Sequence, residues 1–218
     1  MRRVIVLRPG PGASETLARA RELGLDATAV PLFEIEAADW KMPEGAFDGV
    51  LLTSANAVRE AGDELQKLRG LPAYAVGEAT AEAARDAGFD VAATGGDGVE
   101  RLLGSIEPDL RLVHLCGANR KDYSGARQQI TPVVVYRSRA IDADLGDVSG
   151  SVILVHSPRA GERLAKLVEN RSHIAVAVIS EAAADTVGGG WESVAVADKP
   201  SDEALLALAI DLCNKPQP

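Results

Sequence analysis

Five short stretches of this chain share a pattern suited to holding anions. In each, an apolar run gives way to small polar residues just before a helix-forming segment. They are Thr53-Ser54-Ala55-Asn56, Gly77-Glu78-Ala79-Thr80, Gly117-Ala118-Asn119-Arg120, Ser157-Pro158-Arg159 and Ser180-Glu181-Ala182. The first turn of a helix carries N–H groups without intrahelical acceptors and a positive dipole end, so it receives a carboxylate without a Lys or Arg for each. In open α/β sheets ligands bind beyond the carboxyl ends of the strands, where such turns fall. Taken singly, each Ser or Thr is an ordinary N-cap. Five turns of similar chemistry in one chain point to a common role. Cations lie near them: Arg8, Arg59, Arg120, Lys121, Arg137, Arg139 and Arg159. Arg8 and Arg159 fall at strand ends. Tyr136, one of three tyrosines, lies between Val135 and Arg137. It reads either as core packing or as a phenol able to act as a weak general acid.

Other chemistries find little support. Pro9-Gly10-Pro11-Gly12-Ala13-Ser14 lacks the third glycine of a dinucleotide fingerprint, since position 15 is Glu15. There is no Walker motif and no marked carboxylate pair. Cys116 and Cys213 have no ligand spacing, nor have His114, His156 and His173. No cofactor and no metal are expected. The formal net charge is −9, which argues against nucleic acid as a partner. No apolar run reaches the ~18 residues that span a bilayer. The apolar start Val4–Leu7 is too short for a signal peptide, so the expected location is the cytoplasm. With no long exposed apolar stripe, a monomer is expected.

The elements that would position these turns alternate along the chain. Apolar runs occur at Val4–Leu7, Ala27–Ile35, Gly49–Leu52, Ala73–Val76, Leu112–Leu115, Pro132–Tyr136, Val152–Val155, Ile174–Ile179 and Ser193–Val196. Most are apolar throughout, as in strands covered on both faces. Helix-like stretches lie between them, marked by Leu17, Ala18, Ala20 and Leu23, by Leu164, Leu167 and Val168, and by Leu205, Leu206, Leu208 and Ala209. This alternation predicts an α/β protein with parallel sheets.

The chain also repeats itself. Val50–Ala57 aligns with Ile153–Ala160, and Ala75–Ala81 with Val178–Ala184. Ser54 to Gly77 and Ser157 to Ser180 both span 23 positions. Val99-Glu100-Arg101-Leu102-Leu103 then matches Asp202-Glu203-Ala204-Leu205-Leu206. Two related α/β halves follow. Two longer extended runs, Val30–Glu36 and Val133–Ala140, fit a plain βα reading poorly. The second would place Arg137 and Arg139 on one face, as in an exposed ribbon connecting domains.

These residues resemble the uroporphyrinogen-III synthase family. Thr53-Ser54-Ala55-Asn56-Ala57-Val58 is similar to its Thr-Ser-x-x-Ala-Val segment, and Val76-Gly77-Glu78-Ala79-Thr80-Ala81 to its Val-Gly-x-x-Thr-Ala segment. Val135-Tyr136 resembles its Val-Tyr dipeptide, Ser157-Pro158 its Ser-Pro turn, and Arg8-Pro9 its Arg-Pro opening. The resemblance implies two flavodoxin-like parallel-sheet domains joined by a two-stranded β-ladder. Domain 1 would be 1–30 plus 143–218 and domain 2 would be 38–131, with 31–37 and 132–142 as the ladder.

By the same resemblance the substrate is hydroxymethylbilane, a linear tetrapyrrole, closed with loss of water and inversion of ring D in the tetrapyrrole (haem) pathway. Tyr136 matches the position proposed to assist hydroxide departure. Arg8, Thr53, Ser54, Ala55, Asn56, Gly77, Thr80, Gly117, Asn119, Ser157, Pro158, Arg159, Ser180 and Glu181 would bind substrate, largely through backbone N–H groups. Transient contact with the preceding pathway enzyme is a further implied partnership. One departure stands out: Ala183 occupies the place of a threonine found in some relatives. Two rival readings compete with the family. One is a non-enzymatic two-domain binder of a small polyanion, and the other is a sugar-nucleotide transferase, which lacks a supporting charged pair.

Overall fold

A computed structural model describes residues 2–96, 98–120, 122–123 and 125–215. The chain divides into two compact units. Unit 1 is Met1–Glu34 with Ala140–Pro218, and unit 2 is Ile35–Arg139.

In chain order the elements are β1 (Val4–Val6), α1 (Gly12–Glu22), β2 (Ala27–Ala29), β3 (Phe33–Ala37), β4 (Gly49–Leu52), α2 (Ala55–Glu60), a 3-10 helix (Gly62–Leu68), β5 (Ala73–Val76), α3 (Glu78–Asp86), β6 (Val91–Gly95) and α4 (Val99–Ser105). Then follow β7 (Arg111–Gly117), β8 (Gln129–Ala140), β9 (Val152–Val155), α5 (Pro158–Leu167), β10 (Ala175–Val178), α6 (Glu181–Val187), β11 (Ser193–Val196) and α7 (Asp202–Asn214). The expected run Ala27–Ile35 divides into β2 and β3, because Pro31 lacks an N–H for a ladder.

Unit 1 holds a five-stranded sheet, ordered β11-β10-β9-β1-β2, and its pairings are parallel. Every residue of β1, β9 and β10 is buried. Alternation sends Ile5, Ile153 and Val176 to one face, against Leu164, Ala183 and Val187 of α5 and α6. It sends Val4, Val6 and Leu154 to the other, against Ala20 of α1 and Leu205, Ala209 and Leu212 of α7. Each fully buried Val or Leu stabilises the fold by about 1.5–3 kcal/mol. On α1 the inward face is Ala13, Thr16 and Ala20. Leu23, expected on that face, is the C-cap and is exposed. Thr16 instead points inward.

Unit 2 contributes to a six-stranded sheet, ordered β3-β8-β7-β4-β5-β6. The β8–β7, β7–β4, β4–β5 and β5–β6 pairs are parallel. Val50, Leu52, Val113 and Leu115 face one core with α2 and the 3-10 helix. Leu51 and Leu112 face another with Leu102 and Leu103 of α4. The fold is therefore α/β, built on two doubly wound, largely parallel sheets.

The internal repeat explains both strand orders. By the alignment, β9, β10 and β11 correspond to β4, β5 and β6. The remaining pairs are β1-β2 in unit 1 and β7-β8 in unit 2. Substituting each strand by its counterpart converts the five-stranded order into the six-stranded one without its edge strand β3. The two sheets share one spatial plan, but the flanking pair precedes the repeat in unit 1 and follows it in unit 2. The order reverses between β1 and β9 and between β7 and β4, which are the switch points where such sheets bind ligands.

Two sequence expectations change here. The run at Pro132–Tyr136 belongs to a longer strand that begins at Gln129 and pairs with β7 as far as Tyr136. Its last residues, including exposed Arg137 and Arg139, extend past that pairing, and Arg139 binds Glu36 of β3 at 2.6 Å. No helix begins at Gly117-Ala118-Asn119-Arg120; among the described residues, 118–128 is irregular. That stretch has too few apolar residues to form an amphipathic face.

Candidate functional site

Each unit carries a polar cluster at its own switch point. In unit 1, Arg8 follows β1, Thr16 lies in α1, His156 follows β9 and Asp202 begins α7. Asp202 gathers them. Its Oδ1 accepts from Thr16 Oγ1 at 2.7 Å and lies 2.9 Å from His156 Nε2. Its Oδ2 accepts from Arg19 at 2.7 Å. Arg8 Nη1 is 3.4 Å from Thr16 Oγ1 and 3.5 Å from Asp202 Oδ1.

The protonation states follow from this arrangement. Burial by itself would raise the Asp202 pKa, but hydrogen bonds from His156, Thr16 and Arg19 outweigh it and hold the carboxyl well below its usual range. Burial lowers the His156 pKa, only partly opposed by the Asp202 hydrogen bond. His156 is therefore neutral near pH 7 and donates from Nε2 to the carboxylate.

In unit 2, Thr53 follows β4 and its Oγ1 lies 3.0 Å from His114 Nε2 on β7. His114 is 1% exposed. Its pKa falls to about 4, first through burial and then through the charge of Arg120. The Tyr123 ring stands 5.5 Å from the His114 ring. A cavity of about 600 Å³ opens beside them, lined also by Arg120, Gln128, Ile130 and Pro132. It lies between β7 and β8, where the described residues of unit 2 form no helix and unit 1 has α1.

Tyr136 packs over Gly117. A Cβ on Gly117 would sit 2.7 Å from the ring's Cζ and 2.9 Å from its hydroxyl. Only glycine lets the strand end approach the phenol this closely.

The other residues singled out in the sequence take these places. Ser54 and Ser157 are N-caps whose hydroxyls accept from the N–H groups of Asn56 and Ala160, each at 3.2 Å. Ser180 is also an N-cap, but its hydroxyl makes no capping bond. Gly77 caps α3 with φ of 81°, a conformation that disfavours a side chain. Its carbonyl accepts from Thr80 and Ala81. The N–H groups of Ala183 and Ala184 go to Ser180. The donors each helix leaves for a ligand are thus at its first positions: Ala55 on α2, Glu78 and Ala79 on α3, and Glu181 and Ala182 on α6. Thr80 is buried, and its N–H is engaged. Pro158, the first residue of α5, has no N–H to offer. Arg159 lies over the Phe33 ring at 4.6 Å. Asn119 and Arg120 are exposed beyond β7. Lys121 lies outside the described residues.

Sequence reading missed Thr16, Arg19, His114, His156 and Asp202 as site residues. One signal was present. In the repeat His156 aligns with Thr53, so both clusters start from the same strand-end position.

Fold and site together define a protein of two doubly wound α/β units, each with a buried polar cluster at the switch point of its sheet. Comparison with known proteins places it further. The family model described as Uroporphyrinogen-III synthase HemD matches residues 14–207, and the chain belongs to that family. A putative uroporphyrinogen-III synthase of Archaeoglobus fulgidus is 37% identical over 83 residues. That match covers 37% of this chain and 34% of the relative, so the chain spans about a third of the curated protein it matches. The uroporphyrinogen-III synthetase of Helicobacter pylori has a similar fold, with TM-score 0.70 and 20% identity over 97% of this chain and 100% of that one. A mutant uroporphyrinogen III synthase of Thermus thermophilus gives TM-score 0.54 and 17% identity over 99% and 100%.

Proposed function

We propose that the chain is a uroporphyrinogen-III synthase, which cyclises hydroxymethylbilane to uroporphyrinogen III with loss of water and inversion of ring D. The family match over residues 14–207 carries this reading. The strand-end chemistry supports it, because a substrate with eight carboxylates needs many donors and an acidic chain supplies few spare cations. Helix-start N–H groups at Ala55, Glu78, Ala79, Glu181 and Ala182 meet that need without added charge. Arg8 and Arg159 add two guanidinium groups in unit 1.

In this reading the terminal hydroxyl leaves as hydroxide and takes up a proton, which makes water and an azafulvene cation. Ring D attacks through its substituted carbon, and a spiro intermediate fragments and recloses. The protein orients the bilane and stabilises developing charge. Tyr136 assists hydroxide departure by hydrogen bonding. The proposed setting is the cytoplasm, with the tetrapyrrole as partner, a monomeric enzyme and transient contact with the enzyme that makes the substrate.

The decisive measurement supplies hydroxymethylbilane, oxidises the products and separates the porphyrin isomers. Type III product in excess over the spontaneous type I is expected. Type I alone from folded protein would end this reading and favour a binder of polyanions. Tyr136→Phe is expected to lower kcat by about 10- to 100-fold while keeping type III selectivity, since a weak acid assists rather than carries the step. Unchanged turnover would remove Tyr136 from the chemistry.

A further inference from the structure

We propose that Asp202 is the positioning residue that fixes Arg8 as a receptor for a substrate carboxylate in unit 1. The inference rests on the proposed synthase function and adds to it a subsite and the residue that builds it.

Asp202 is an acceptor only, and its Oδ2 is matched by Arg19 at 2.7 Å. Its Oδ1 takes the hydroxyl proton of Thr16 and the Nε2 proton of neutral His156. Thr16 has one proton, and it is committed to Asp202. Its lone pairs must therefore face Arg8 Nη1, 3.4 Å away. Asp202 thus dictates both the orientation of the Thr16 hydroxyl and the place of the guanidinium.

Asp202 divides its single charge between Arg19, at 2.7 Å, and Arg8, at 3.5 Å, so it holds the Arg8 guanidinium without neutralising it. Glu15 and Glu203 bear on Arg19. The Arg8 side chain keeps 32% of its surface exposed, at the carboxyl end of β1 and beside the switch to β9. That is where a doubly wound sheet receives its ligand.

The second observation is Gly12, the first residue of α1. A Cβ there would lie 2.5 Å from Arg8 Nη2 and 2.6 Å from Cζ and Nε. The guanidinium lies across the opening turn of the helix in space that any side chain would occupy. A fork of donors held there is matched to a carboxylate.

The experiment is a double-mutant cycle on the full chain, read by steady-state kinetics with hydroxymethylbilane. Arg8→Ala and Asp202→Asn are each expected to raise KM by about 10-fold, the scale for losing a charge-assisted contact, with kcat within about 3-fold. In the Arg8→Ala background Asp202→Asn is expected to change KM by less than about 2-fold, because its effect runs through Arg8. Thr16→Val, nearly isosteric, tests the same relay if Asp202→Asn folds poorly. It too should raise KM only where Arg8 is present. KM effects that multiply, in an enzyme still making type III product, would overturn the positioning role. Wild-type protein that makes only type I product would instead refute the synthase reading, and this subsite with it.

Discussion

Replacing Arg2 with methionine is expected to destabilise the protein by about 2–4 kcal/mol, because it removes a buried guanidinium from a partly buried ion pair. Arg2 is 7% exposed. Its guanidinium makes a fork to Glu192, at 2.7 and 2.8 Å. It also donates to the carbonyls of Gly150 and Ser151, at 2.9 and 3.0 Å. These bonds run from the segment just before β1 to the far half of unit 1, more than 140 positions along the chain. Arg2 therefore ties the N-terminal segment to the sheet it joins. Methionine has similar length but no donors, so Glu192 and the carbonyls lose their partner. Chemical denaturation measures the effect. A loss below about 1 kcal/mol would mean that water replaces these contacts, and Arg2 would then be no clasp.

The second large effect is acid destabilisation through His114. An unperturbed histidine titrates near 6.5, while His114 in the fold titrates at about 4. Between these values the unfolded chain binds a proton that the folded chain refuses. Stability is full above pH 6.5 and declines as the pH falls towards 4. At pH 4.5 this one residue should cost about 2 kcal/mol relative to pH 7. His156, also lowered by burial, acts in the same direction. His114→Leu removes the titration and places an apolar side chain at the sheet position that Val6 holds in unit 1. The difference in unfolding free energy between pH 7 and pH 4.5 should shrink by about 2 kcal/mol in that variant. An unchanged pH dependence would show that His114 is protonated in the fold.

Much of the fold was legible because parallel strands buried on both faces are apolar throughout. Gly49–Leu52, Ala73–Val76, Val152–Val155 and Ser193–Val196 are strands with the bounds their apolar runs have. The N-caps were legible as well, because Ser54 and Ser157 act on residues two or three positions away. Such contacts are written in local order. The helix expected after Gly117 was not found, because a strand end followed by small polar residues sets no periodicity for what comes next. The His114–Thr53 contact joins residues 61 positions apart, and the Thr16–Asp202 contact joins residues 186 apart. Nothing local marks either.

The five strand-end turns show the same division. The sequence by itself determined their residue types, their helix starts at Thr53-Ser54, Gly77, Ser157 and Ser180, and the repeat that sets them at equal spacing. Those features depend on hydrogen bonds within one turn and on apolar periodicity, which are local. Tertiary structure alone decided which turns meet at a switch point, that Asp202 gathers Thr16, Arg19 and His156 beside Arg8, and that His114 is buried and neutral. These depend on strand order and on burial. Both arise only when segments far apart in the chain pack into one sheet.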